Sequence, residues 1–489
     1  MAELPIVEAV IKYAKEKNAL FCTPGHKGGR GFKSLYFKEF VDHAFEFDFT
    51  EVEGLDNLHS PEEAIKKSNK LLSELYGSYK SYFLINGSTL GNLIMIFSCF
   101  NEGDKILIER NCHKSIYNAV VLRKLKPILI KNVLNEKLNV PLTMDVVHFL
   151  YNLKLHRDIK GAVITYPNYY GLCCDLKFII GKCKEENVKV LVDSAHGAHF
   201  GICESLPESA VKLGADMVVT SAHKTLPSLT QTAYLHIGEN VNSDKVNYYF
   251  NAFSSTSPSY IFLCSLDYAR FYLDKYGKEE YNSLIKIADY YRDKINLLDH
   301  IHIIGKKDIM NDEFKKNIHD IDTTRYVINL DKGYSGHLLL KYLRKNGVQA
   351  EMSDESNVVL ILSPFNTVDE FEKLYILLKK CDLTSLAGNT YDIVNYEIPE
   401  LKILPADALN SDKKNLNYFE AEGEICGESI IPYPPGIPLL MMGEEVSRKH
   451  IEIINDYIEN DVKVIGVNNK KISVLDIRSY LCLEEKLWI

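Results

Sequence analysis

Seven short runs of β-branched and apolar residues punctuate the first half of the chain: "SYFLIN" (81–86), "KILIE" (105–109), "KPILI" (126–130), "GAVITY" (161–166), "VKVLVD" (188–193), "MVVTS" (217–221) and "TAYLHI" (232–237). Runs that are apolar on both faces suit strands covered on both sides. Segments with helical spacing lie between them, such as Leu90 to Phe100 and Leu176 to Glu186. The alternation predicts the α/β class, with a mostly parallel central sheet between helices from about residue 50 to residue 270.

A chain of 489 residues exceeds what one core organises, so further units are expected. "RYVINL" (325–330), "SGHLLLKYLRKNG" (335–347) and "NVVLILSP" (357–364) read as strand, helix and strand of a smaller α/β unit. The polar stretch from Leu383 to Glu397 reads as a linker. The expected division is an N-terminal segment (1–50), a large domain (51–290), a small α/β domain (291–385) and a C-terminal domain (386–489).

Ligands in open parallel sheets bind beyond the carboxyl ends of the strands, so those ends are where chemistry is sought. "NGSTLGN" follows the first run. Its Asn86 and Gly87 turn the chain, and Ser88 and Thr89 offer hydroxyls and backbone N–H groups at a helix start suited to phosphate. "RNCHKS" places His113 after the second run, "VDSAHGAH" ends a strand at Asp193, and "SAHKTLPSLTQ" puts Lys224 after the sixth. Singly these read as a helix cap, a loop histidine, a strand-end cap and a surface lysine. Together and in this order they match the needs of pyridoxal 5′-phosphate (PLP). A lysine amine condenses with its aldehyde as a Schiff base, a carboxylate keeps the pyridine nitrogen protonated, and an imidazole stacks on the ring while a small residue such as Ala195 leaves room on the other face.

Composition narrows the partners. A net charge of −9 with 25% charged residues argues against general affinity for nucleic acid or acidic membrane, and is compatible with a small cationic substrate. No apolar stretch of about 18 residues is present, and "MAELPIVEAVIKYAKEKN" reads as a charged amphipathic helix without the apolar centre of a signal peptide. A cytoplasmic location is expected. The 11 cysteines lack metal-type spacing and read as reduced thiols, with no metal site.

The sequence also resembles the bacterial-type ornithine/lysine/arginine decarboxylases, PLP enzymes with the aspartate-aminotransferase fold. The resemblance runs through "TPGHKGG" (23–29), "GLDNLHSPEEAI" (54–65), "NGSTLGN", "ERNCHKS", "YPNYYGLCCDL" (166–176), "VDSAHGAHF", "SAHKTLPSLTQ", "SSTSPSY" (254–260) and "IPYPPGIPLL" (431–440). It is closest to the shorter arginine and lysine decarboxylase type, since "PGHK" lies near the start and the N-terminal wing domain of the large inducible enzymes has no counterpart. The resemblance implies α-decarboxylation of a basic amino acid, arginine first, then lysine or ornithine, giving agmatine, cadaverine or putrescine with CO₂. It implies Lys224 as the Schiff-base lysine, Asp193 on the pyridine nitrogen, His113 on the ring, and Ser88, Thr89 and Ser221 on the phosphate. It also implies that Ala195 and His196 join the cofactor set and that His223 supplies or positions the proton that replaces the carboxylate. The resemblance further implies that Thr256 or Ser257 contacts the cofactor phosphate of a neighbouring subunit, and so at least a homodimer. Glu428 is the matching candidate for the cationic tail, with Glu53 and Asp56 behind it. His26 and Lys27 belong to the signature without an assigned role.

The C-terminal unit departs from the family pattern. Gly423 and Glu424 stand where Gly-Arg is common, Ala406 replaces the arginine of "SPRDAF", and Met442 stands where a proline is usual. These departures bear on substrate identity more than on cofactor binding. Two other functions remain open to the residues: another PLP enzyme of the same fold, such as an aminotransferase or lyase, and a non-catalytic homologue.

Overall fold

The computed structural model describes residues 4–33, 37–135, 139–309, 318–388, 398–433, 438–459 and 462–476. Seven strands form the central sheet: β1 (Lys80–Leu84), β2 (Lys105–Glu109), β3 (Lys126–Ile130), β4 (Ile159–Thr165), β5 (Lys189–Asp193), β6 (Met217–Thr220) and β7 (Ala233–Ile237). Their order is β1-β7-β6-β5-β4-β2-β3. The pairs within β6-β5-β4-β2-β3 are parallel, and β7 alone runs against its two neighbours. Central strands such as β6 and β7 are buried along their whole length, as their apolar sequence requires.

Helices α1 (Gly87–Cys99), α2 (Lys114–Arg123) and α3 (Ala222–Thr225) start at or near strand ends, and α4 (Tyr260–Ile295) leads out of the large domain. Pro258 precedes α4, which begins at N-cap Ser259 and continues for 36 residues through position 290, where the sequence suggested a domain edge. One buried stripe of α4, including Leu266, Leu273, Leu284 and Ile295, packs into the main core.

Beyond α4, β8 (Ile301–Ile303), β9 (Arg325–Leu330), β10 (Met352–Ser353) and β11 (Asn357–Ile361) form an antiparallel sheet ordered β8-β9-β11-β10. The N-terminal segment joins the same unit through a separate two-stranded sheet, in which Ala19–Phe21 pairs in parallel with Val348–Ala350 just ahead of β10. The expected linker contains a 3₁₀ turn over Leu383–Leu386, and its residues 389–397 lie outside the described residues.

The C-terminal unit has its own core of Tyr418, Ile430, Leu440, Val446, Ile451 and Ile454. An ion pair fastens it to the large domain: Arg110 donates to both oxygens of the fully buried Glu444 at 2.7 and 2.9 Å, and also to the Leu439 carbonyl at 2.8 Å. Glu444 additionally accepts from the Met441 N–H at 2.6 Å. Since Arg110 lies three residues before His113, the pair anchors the loop after β2. Removing one partner would strand a buried charge. Glu444→Ala is expected to cost about 3–5 kcal/mol, measured by chemical denaturation, with earlier proteolysis of the C-terminal unit.

Candidate active site

A cleft of about 330 Å³ opens at the carboxyl ends of the strands, and the residues placed there by sequence line it: Ser88, Thr89, His113, Asp193, Ala195, His196, Ser221, His223 and Lys224. Thr23, Asn92, Tyr169 and Glu351 complete much of its wall.

At one end, Gly87 takes a positive φ of 70° to turn the chain into α1, and Asn86 before it makes no side-chain cap. The first turn of α1 therefore has N–H groups without a capping side chain. The Ser88 hydroxyl lies 2.6 Å from that of Ser221, so residues 133 positions apart converge at this helix start. An uncapped helix N-terminus with two hydroxyls beside it fits a phosphate.

Asp193 ends β5, 3% exposed. Its Oδ1 accepts from the Ala195 N–H at 3.1 Å and its Oδ2 from the Asn92 amide at 2.9 Å. Asn92 also donates to the Ser115 hydroxyl at 2.8 Å, and that hydroxyl lies 2.8 Å from His113 Nδ1. His113 Nδ1 accepts the Ser115 N–H at 3.2 Å and so caps α2. Burial, reinforced by nearby Lys224 and opposed by Asp193, lowers the His113 pKa to about 4 and leaves a neutral ring. Asp193 is thus a buried carboxylate with two neutral donors and no ion pair among the described residues, an environment that fits a cationic ring N–H.

Lys224 lies on α3, and the "TPGHK" loop forms the floor beneath it. The Gly25 N–H donates to the His223 carbonyl at 2.7 Å, and Ser363 holds the Gly25 carbonyl at 2.8 Å. A Cβ on Gly25 would stand 2.6 Å from the Thr225 carbonyl carbon, so the close approach requires glycine. Lys27 is buried and donates to the carbonyls of Cys22 at 2.6 Å and Ile361 at 2.9 Å, tying the loop to the end of β11. His26 Nδ1 accepts the Gly29 N–H at 2.9 Å. The two signature residues without an assigned role are therefore supports of the Lys224 turn.

Burial, with help from Arg325, lowers the Lys224 pKa, against the opposing charges of Asp193 and Glu351. Its Nζ lies 2.9 Å from His196 Nε2, and the Arg325 guanidinium lies 3.1 Å from His196 Nδ1. The edge of Tyr169 packs against the His196 ring. His223 Nδ1 lies 2.8 Å from the Thr232 carbonyl, which fixes that nitrogen as a donor and leaves the Nε2 lone pair free. Burial lowers the His223 pKa to about 4.

Other candidates lie elsewhere. Thr256, Ser257 and Glu428 are exposed and do not line the cleft of their own chain. Asp56 accepts backbone N–H groups from Asn57, Glu62, Glu63, Ile65 and Lys66, which makes it a structural cap for the helix Ala64–Tyr76. Glu53 is exposed outside the cleft. The family departures also fall outside it: Glu424 pairs with Lys414 at 3.0 Å, Ala406 is buried in the helix Pro405–Asn410 that packs on α2, and the Met442 N–H donates to Ser429 at 3.1 Å, a bond proline could not make.

Four cleft or supporting residues escaped sequence reasoning: Asn92, Ser115, Arg325 and Glu351. Asn92 was within reach, four residues after Ser88 on the same helix face. Arg325 opens β9 of the antiparallel sheet, Glu351 lies in the bend before β10, and neither carries a local signature.

Family models for the Orn/Lys/Arg decarboxylase major domain and C-terminal domain match residues 4–370 and 392–464. The chain belongs to the Orn/Lys/Arg decarboxylase family. It is 35% identical over 98% of both chains to the uncharacterised protein YaaO of Bacillus subtilis, and 32% identical over 97% of both chains to an arginine decarboxylase of Bacillus anthracis. Its fold matches a lysine decarboxylase of Francisella novicida with a TM-score of 0.76 at 21% identity, covering 96% of this chain and 81% of that one. The fold is that of the PLP-dependent transferases, and the family is one of PLP-dependent amino-acid decarboxylases. No helix among the described residues is long and apolar enough to cross a membrane. Gly25→Ala is expected to push the Lys224 turn out of place, costing about 1–3 kcal/mol of stability and weakening PLP binding, checked by thermal melting and cofactor titration.

Proposed function

We propose that this decarboxylase acts on L-arginine, releasing CO₂ and agmatine, with lysine and ornithine as the competing substrates. The observation that carries the reading is the convergence of Lys224, the buried Asp193 and the uncapped start of α1 on one cleft. The arginine decarboxylase of B. anthracis, related along nearly the whole chain, supports the choice of arginine.

Lys224 would hold the cofactor aldehyde, Asp193 its ring nitrogen, and Ser88, Thr89 and Ser221 its phosphate, with His113 against one face of the ring and Ala195 leaving room at the other. When bound, PLP supplies the sink for the electron pair left at Cα as CO₂ departs. Asn92 and Ser115 hold Asp193 and His113 in one hydrogen-bonded row, so the carboxylate and the imidazole keep a fixed relation. His223, neutral and donating from Nδ1, presents a lone pair at Nε2; it orients or accepts, and it delivers a proton to Cα only after gaining one.

The carboxylate available to a cationic tail within one chain is Glu351, held by the Thr23 N–H at 2.8 Å and the Tyr169 hydroxyl at 2.9 Å. Thr256, Ser257 and Glu428 take part if a second copy brings them to the cleft, which is the homodimer we propose, working in the cytoplasm.

CO₂ release from arginine, lysine and ornithine, measured in parallel, tests this reading. Arginine is expected to give the highest kcat/KM, and Lys224→Ala to abolish release from all three. Glu351→Gln should raise KM at least about tenfold with a smaller effect on kcat, as loss of one charge-assisted contact implies. Mixed dimers of Lys224→Ala and Glu428→Ala subunits should regain activity that neither shows alone if sites are shared. Faster release from lysine would reassign the substrate.

A further inference from the structure

We infer that Arg325 and His196 are positioning residues that present Lys224 as a neutral amine, through a hydrogen-bond ladder whose polarity is set at its buried end. The inference rests on the reading of Lys224 as the residue that takes the cofactor, and deepens it.

A guanidinium has donors and no acceptor. Arg325 Nη2 stands 3.1 Å from His196 Nδ1, so that nitrogen must offer its lone pair. An imidazole unprotonated at Nδ1 carries its hydrogen on Nε2. Nε2 is 2.9 Å from Lys224 Nζ, and the only partner that can accept there is an amine with a lone pair. An ammonium at Nζ would set two donors face to face. The opposite tautomer would relieve that clash only by turning an imidazole N–H against the arginine.

The setting of Arg325 supports the assignment. It is 1% exposed, its Nε and Nη1 have no hydrogen-bond partner, and the contact with His196 is its side-chain bond among the described residues. A buried guanidinium so poorly satisfied as a structural group calls for another explanation. Burial first, with the Arg325 charge among the further causes, drives the His196 pKa well below its ordinary value, which excludes the doubly protonated ring.

The groups around Lys224 divide clearly. Asp193 on β5 and Glu351 beside β10 favour the ammonium, while burial and Arg325 on β9 favour the amine. His113 before α2, His223 on α3 and His196 after β5 are held neutral, and Lys27 adds positive charge on the Arg325 side. Among the described residues, Arg325 is the one cation hydrogen-bonded to His196 besides Lys224 itself.

Competitive acetylation of the full chain, freed of cofactor, reads the Lys224 titration by mass spectrometry from about pH 6 to about pH 12, a range spanning a lowered and an ordinary lysine. The rate of PLP capture, followed by absorbance across the same range, is the second readout. Wild type should show a midpoint below that of ordinary lysine. Arg325→Met should raise it by about one pH unit, a tenfold loss of amine at neutral pH, and Arg325→Lys should restore it. His196→Leu should raise it likewise, whereas His196→Gln, able to accept from Arg325 and donate to Nζ, should keep the wild-type midpoint. A purely structural role would lower melting temperature and capture without moving the midpoint. Should Arg325→Met fail to fold, the two His196 variants decide. Unchanged midpoints in the folded Met and Leu variants, or an ordinary lysine titration in wild type, overturn the ladder. A lowered midpoint without PLP capture leaves the ladder standing and overturns the cofactor reading.

Discussion

The constraint on which this site depends is a lysine side chain held half-buried at the floor of the cleft. A buried amine favours its neutral form, and that form is the nucleophile. The cost of burial is met by construction around the turn: Gly25 closes directly under α3, Lys27 locks the loop to the end of β11, and Ser363 holds the loop from the other side. The N-terminal signature is therefore part of the same device as "SAHKT", although some 200 residues separate them in sequence.

The same economy of water explains the row from Asp193 to His113. Asn92 bridges Asp193 and Ser115, and Ser115 bridges on to His113, so two groups from different strand ends share one neutral chain of donors and acceptors. None of its links neutralises Asp193. A carboxylate left in that state is prepared for a cation that the chain itself does not provide.

What the sequence made legible follows from distance along the chain. The parallel sheet was readable because each strand carries its apolar run locally, and Ser88, His113, Asp193 and Lys224 because each lies just past such a run. The antiparallel sheet supplies Arg325, and the bend just before its strand β10 supplies Glu351, both from more than 100 residues beyond Lys224, and nothing beside either residue marks its destination. Asp56 shows the converse failure: an acidic residue in a signature segment is used by five backbone N–H groups, and such use cannot be separated from ligand binding by residue type alone.

The C-terminal unit is tied into this arrangement through Arg110, whose partner Glu444 is wholly buried. The loop running from Arg110 to His113 is short, and both of its ends are fixed, one by the ion pair and the other by the cap of α2. A shift of the C-terminal unit would therefore reach the face of the His113 ring before it reached Asp193 or Lys224, which are held from the sheet and the N-terminal loop. Ala406, Glu424 and Met442 are each accommodated by a local partner or by packing outside the lining of the cleft, while the Arg110–Glu444 contact connects the two units.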